Sequence, residues 1–119
     1  MILKDAIALI QHSDIAGRTN ARWADLGCGS GLFTCALANL LQKGGTIDAI
    51  DKTITPLQKL PNPHKISIHT KQLDFIKEPL PFNGLDGILM ANSFHYVADK
   101  MNFIAAAGKT LASDGFFCW

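Results

Sequence analysis

Three aspartates and three glycines carry the chemistry that this sequence suggests. Residues 25–31 read DLGCGSG, so Gly27, Gly29 and Gly31 stand at every second position, straight after the apolar run 21–26. Glycine loses the most conformational freedom on folding. Three of them at the mouth of an apolar run point to a backbone that must turn sharply or approach a ligand with no Cβ in the way. Asp25, just before the first glycine, can hold an ammonium directly or through water. Asp51 follows directly on the run TIDAI, where an acidic side chain can accept both hydroxyls of a ribose. Asp74 and Phe75 follow the run KISIHT. There a carboxylate can accept from an adenine amino group while the ring packs on the base. Each residue also has a plainer reading: a tight structural turn, a solvated strand end, a loop carboxylate beside a core phenylalanine.

These residues need elements to hold them. Ile2, Leu3, Ala6, Ile7 and Ile10 fall at helical spacing and predict an amphipathic helix, not a signal peptide, because Asp5 interrupts the apolar stretch. Runs 21–26, 46–50, 65–70 and 85–91 read as strands, and GFFCW, residues 115–119, begins a fifth. Helices are expected over 30–42, stopped by Gly44-Gly45, and over 96–111. Thr55-Pro56 reads as the start of a further short helix. Residues 77–84 read as a loop and Ser113-Asp114-Gly115 as a turn. The alternation predicts right-handed β-α-β units and a doubly wound, Rossmann-like parallel sheet of order 3-2-1-4-5 with helices on both faces.

A chain of 119 residues is expected to be one domain, residues 1–119. With 48% apolar and 18% charged residues it has globular composition, and its formal net charge of +1 selects neither nucleic acid nor an anionic membrane. No apolar stretch approaches the roughly 20 residues of a membrane span. Cys28, Cys35 and Cys118 form no C-x-x-C pair and no metal cluster, so reduced thiols, a cytoplasmic location and no metal are expected. Cys35 reads as a helix core residue, and Cys28 as a small side chain lining the glycine loop in preference to a reactive thiol.

The glycine spacing departs from the dinucleotide fingerprint, since Leu32 stands at the position of its last glycine, and the phosphate-loop ending G-K-S/T is absent. DLGCGSG, IDAIDK, LDFIKEPLPF and LDGILMANSFHYV, in that order and spacing, resemble the class I S-adenosylmethionine-dependent methyltransferases, most closely those acting on small molecules. The resemblance covers residues 20–119. It implies S-adenosylmethionine as cofactor. Asp25, Gly27 and Gly29 are expected at its methionine part with Cys28 among the cofactor-binding residues, Asp51 at the ribose with Lys52 beside it, Asp74 and Phe75 at the adenine, and Asn92 under the sulfonium and the acceptor. His95 is the candidate base or acceptor-side contact, against the alternative of a loop histidine that packs or caps. No catalytic residue is otherwise identified. Ala91-Asn92-Ser93-Phe94 lacks the asparagine-proline-proline-aromatic motif of base methylation, so the resemblance implies a small-molecule acceptor, with neither nucleic acid nor membrane as partner.

The family's sheet continues into an antiparallel hairpin after the fifth strand, and this sequence stops within that strand. It is therefore expected to be an incomplete domain whose exposed edge favours a homodimer. A cofactor-binding module without turnover stays open beside the enzyme reading.

Overall fold

The computed structural model describes residues 1–53, 56–91 and 93–118. Helix α1 (Leu3–Ile10) and the short α2 (Ser13–Ala16) precede strand β1 (Arg22–Leu26); α3 (Leu32–Leu40) leads to β2 (Thr46–Asp51). Strand β3 (Ser67–Gln72), β4 (Leu85–Leu89), a 3-10 turn over Phe94–Tyr96, α4 (Lys100–Gly108) and β5 (Leu111–Cys118) follow. All strand pairs are parallel and the order is β3-β2-β1-β4-β5, as expected from the alternation.

The pattern of apolar residues explains the layering. β1 and β4 are covered on both faces and are buried almost throughout, as a central parallel strand must be. On one face α1 and α3 cover Trp23, Ile47 and Leu89, and Ala6, Ile10, Ala36 and Leu37 fill the layer. On the other, α4 brings Phe103 and Ala107 onto Ala24, Leu26, Ile50 and Ile88. Strand β3, SIHTKQ, is polar and largely exposed, which blunts that edge of the sheet.

Three expectations are corrected. The described residues 56–62 form no helix: with Pro56 and Pro61 in the segment and Pro63 directly after it, the backbone lacks donors for a helical ladder. The segment is instead strapped to the start and side of α3, where Gln58 N donates to Ser30 O at 2.8 Å and Asn39 Nδ2 to Pro61 O at 2.9 Å. Thr55 lies outside the described residues. The last helix starts at Lys100, not Tyr96, because Asp99 caps it by accepting from Asn102 N at 3.2 Å. Ser113-Asp114-Gly115 lies within β5 as a bulge: Leu85 pairs with Leu111, and Gly87 next with Phe116. Arg18 holds this bulge, donating to Asp114 O at 2.5 Å and Asp86 Oδ1 at 3.3 Å, with its guanidinium 5.4 Å from the Phe116 ring centroid.

Trp23 is the largest side chain in the sheet's centre, 1% exposed, and meets Phe116 edge-on at 5.3 Å between centroids. Its ring lies across Gly87 of β4 so closely that a Cβ on Gly87 would overlap the indole. Gly87→Ala should therefore cost about 1–3 kcal/mol through overpacking. Urea unfolding checks it: the midpoint should fall with little change in slope, and an unaltered midpoint would show that the indole is not fixed there.

Candidate functional site

In an open parallel sheet the ligand crevice forms beyond the carboxyl ends of the strands, where strand order reverses. Here that point is β1, flanked by β2 on one side and β4 on the other. Gly27, Gly29 and Gly31 adopt φ of 82°, 53° and 92°, all in the left-handed region. Gly27 carries the strongest constraint, because a Cβ there would lie 2.7 Å from Ser93 Cβ. The loop is anchored on both sides. Gly27 N and Cys28 N donate to Ile50 O at 2.7 and 3.0 Å, and Ser93 Oγ donates to Leu26 O at 2.6 Å.

A cleft of about 560 Å³ opens above this loop, a volume in the range of small-molecule sites. Of the residues expected from the sequence, Gly27, Asp51, Lys52, Asp74 and Phe75 line it together. Asp51 Oδ2 accepts from Gly29 N at 3.0 Å and Oδ1 from Thr53 N at 3.2 Å, so this carboxylate shapes the glycine loop as well as facing the cleft. Asp74 Oδ1 accepts from Ile76 N and Lys77 N at 3.2 and 3.3 Å, while Glu78 Oε2 accepts from Asp74 N at 2.8 Å. That reciprocal arrangement resembles a capping box and uses one Asp74 oxygen for the turn. Phe75 leans edge-on against Phe103, 6.0 Å between centroids, joining the cleft wall to the core under α4.

Other expected residues sit elsewhere. Cys28 and Gly29 belong to the loop but not to the cleft wall, the buried Asp25 side chain lies beneath the loop and is not in the wall either, and His95 stacks on Tyr96 at 4.1 Å, so that Tyr96 and not His95 faces the cleft. Asn92 lies outside the described residues. Sequence reasoning missed Ser93, Tyr96, Ile76 and Lys77, which complete the wall. The available signal was positional: each lies in the first turns after a strand's carboxyl end. Among the described residues no group of three His, Cys, Asp or Glu side chains could hold a metal, and no helix is long and apolar enough to cross a membrane.

Asp25 lies beneath the loop, 1% exposed, and accepts from Thr34 Oγ1 of α3 at 2.5 Å. Burial pushes its carboxyl up to about 6; the Thr34 hydrogen bond works against that and the Asp51 charge adds to it. Burial, with the Asp25 and Asp51 charges, pushes the Cys28 thiol up to about 12, which removes any thiolate at neutral pH. Because the folded state holds the Asp25 proton more tightly than the unfolded chain, ionising it lowers stability as pH rises from about 4 to about 6. The cost is on the order of 3 kcal/mol. Asp25→Asn keeps an acceptor for Thr34 and removes the charge. Its stability gain over the parent should grow through that pH window and stay constant above it, by urea unfolding. Equal stabilities at about pH 7 would refute the buried-charge account.

A methyltransferase domain family model matches residues 24–119. No curated protein matches the chain in sequence. Among solved structures, an S-adenosylmethionine-dependent methyltransferase from Mesorhizobium loti is 21% identical with a TM-score of 0.69, over 95% of this chain and 50% of that one. An S-adenosylmethionine-dependent methyltransferase from Aquifex aeolicus is 17% identical with a TM-score of 0.61, over 94% and 68%. Phosphoethanolamine N-methyltransferase 1 of Haemonchus contortus, solved with phosphoethanolamine and S-adenosylhomocysteine, is 23% identical with a TM-score of 0.66, over 96% and 25%. These likenesses share the fold, and this chain spans from a quarter to about two-thirds of their lengths. With the family model spanning most of the sequence and the sheet in the expected order, the chain belongs to the methyltransferase domain family, the class I S-adenosylmethionine-dependent methyltransferases.

Proposed function

We propose that this chain binds S-adenosylmethionine in the cleft above Gly27 and directs its methyl group to a small-molecule acceptor. The observation that supports it most is that the Cβ-free backbone at Gly27 and the Asp51 carboxylate line one cleft. A carboxylate offers about four acceptor positions, so Asp51 has capacity for two ribose hydroxyls beyond its bonds to Gly29 and Thr53. Lys52 lies beside the ribose. The Asp74 oxygen not used by its turn accepts from the adenine amino group, and Phe75 packs on the ring. Cys28 and Gly29 follow the methionine part with their backbone, and Asp25 holds its ammonium from below.

When bound, the cofactor supplies a methyl group on a sulfonium that departs as a neutral thioether. The protein's own part is to bind, align and exclude water, and alignment alone is worth about 7–11 kcal/mol. No nucleophile or metal is required of the chain. On the acceptor side, Tyr96 is 72% exposed at the cleft with the His95 ring behind it, an aromatic surface on which a small acceptor can rest. The near-neutral charge and the absence of a basic run favour a small molecule over nucleic acid. The Haemonchus contortus relative, named for a small amine acceptor, adds support.

Calorimetric titration with S-adenosylhomocysteine tests the reading. Asp51→Ala should weaken binding at least about tenfold, since each hydrogen bond to a charged group is worth about 1.5–3 kcal/mol. An unchanged dissociation constant would remove Asp51 from the ribose. A nicotinamide dinucleotide binding more tightly than S-adenosylhomocysteine would overturn the proposal itself.

A further inference from the structure

Asp25 is an unusual tenant of a core. It belongs to β1, pairs in register with Ala49 of β2 and Leu89 of β4, and is covered by α3. The titratable groups that act on it, or that it acts on, come from β2, the loop and α3: the Asp51 carboxylate at the end of β2, the Cys28 thiol of the loop and the Cys35 thiol of α3. Both thiols are pushed up by burial and stay neutral, while Asp51 is a like charge. Among the described residues, ion pairs join His12 to Asp14 and Arg18 to Asp86 and Asp114, and none reaches Asp25. An ionised carboxylate so placed depends on hydrogen bonding to stay charged. Thr34 Oγ1, on a side chain that is itself fully buried, donates to Asp25 Oδ2 at 2.5 Å.

We infer that Thr34 is a positioning residue for the cofactor site: its hydroxyl holds the Asp25 carboxylate ionised and in place beneath the glycine loop, and so sets the pH below which the cofactor's ammonium is released. The inference rests on the reading of Asp25 as the ammonium's partner. The coupling runs through geometry. Thr34 stands three residues past Gly31, on the first turn of the helix that the loop opens, so the loop, the carboxylate and its donor are set by one strand-loop-helix unit. Without the hydroxyl, burial and Asp51 both favour the protonated acid. A neutral acid no longer offers a full charge to an ammonium.

The test compares parent, Thr34→Val and Thr34→Ser by S-adenosylhomocysteine titration between about pH 5 and pH 8, and by the carbon-13 shift of the Asp25 carboxyl in ligand-free protein. In the parent, affinity should fall about tenfold per pH unit below the carboxyl's titration. In Thr34→Val that break should move toward neutrality by about one pH unit, leaving binding about five- to tenfold weaker at about pH 5–6 and converging with the parent near about pH 8. The carboxyl titration should move with it, and Thr34→Ser should keep the parent profile. A break that stays in place, or a loss equal at every pH, overturns the inference, since a purely structural role gives one or the other. Thr34→Ala carries the same comparison where the valine variant does not fold. If the parent binds no S-adenosylhomocysteine at any pH, the proposed function fails, and the carboxyl titration still decides the role of Thr34.

Discussion

Everything at the functional end of this molecule is arranged around a stretch of backbone that has no room for side chains. Between β1 and α3 the chain reverses in five residues, with φ positive at Gly27, Gly29 and Gly31. Neighbours close in from three directions: Ile50 O from β2, Ser93 from the turn after β4 and Leu57 from the strap over α3. An ordinary residue at Gly27 would suffer both the left-handed backbone penalty and an overlap with Ser93. That contact is steric, and it sets how closely the loop after β1 and the turn after β4, both of which line the cleft, can approach.

The second organising feature is electrostatic. Two carboxylates approach the same loop, Asp25 from beneath and Asp51 from the side, with no described cation paired to either. Burial is the main cause that pushes the Asp25 carboxyl up to about 6; the Thr34 hydrogen bond opposes it and the Asp51 charge adds to it.

The opposite end of the sheet is held by different means. Arg18 joins the segment before β1 to Asp86 at the start of β4 and to the bulge of β5, and Arg22 N donates to Asp86 Oδ2 at 2.8 Å. These contacts, with the Trp23 ring wedged over Gly87, hold β1, β4 and β5 together at the end away from the cleft. The indole N–H is the buried side-chain donor without a partner among the described residues, so Trp23 contributes shape and apolar area, at the cost of one unmade hydrogen bond.

The sequence by itself determined the strand-helix alternation, the strand order and the residues at the carboxyl ends. Apolar period, glycine placement and strand-end carboxylates are local signals, and with the family resemblance of their motifs they pointed to Gly27, Asp51, Asp74 and Phe75, which line one cleft. Tertiary structure alone decided the rest. Ser93 and Tyr96 face the cleft, and His95 does not, because the 3-10 turn after β4 sets which side chains point inward, and no periodicity announces a single turn. The segment after Pro56 follows Ser30 and Asn39 instead of coiling, because its hydrogen-bond partners are distant in sequence. The partnership of Thr34 with Asp25 was equally hidden: a threonine in a helix and an aspartate in a strand carry no mark of each other until packing removes the water between them.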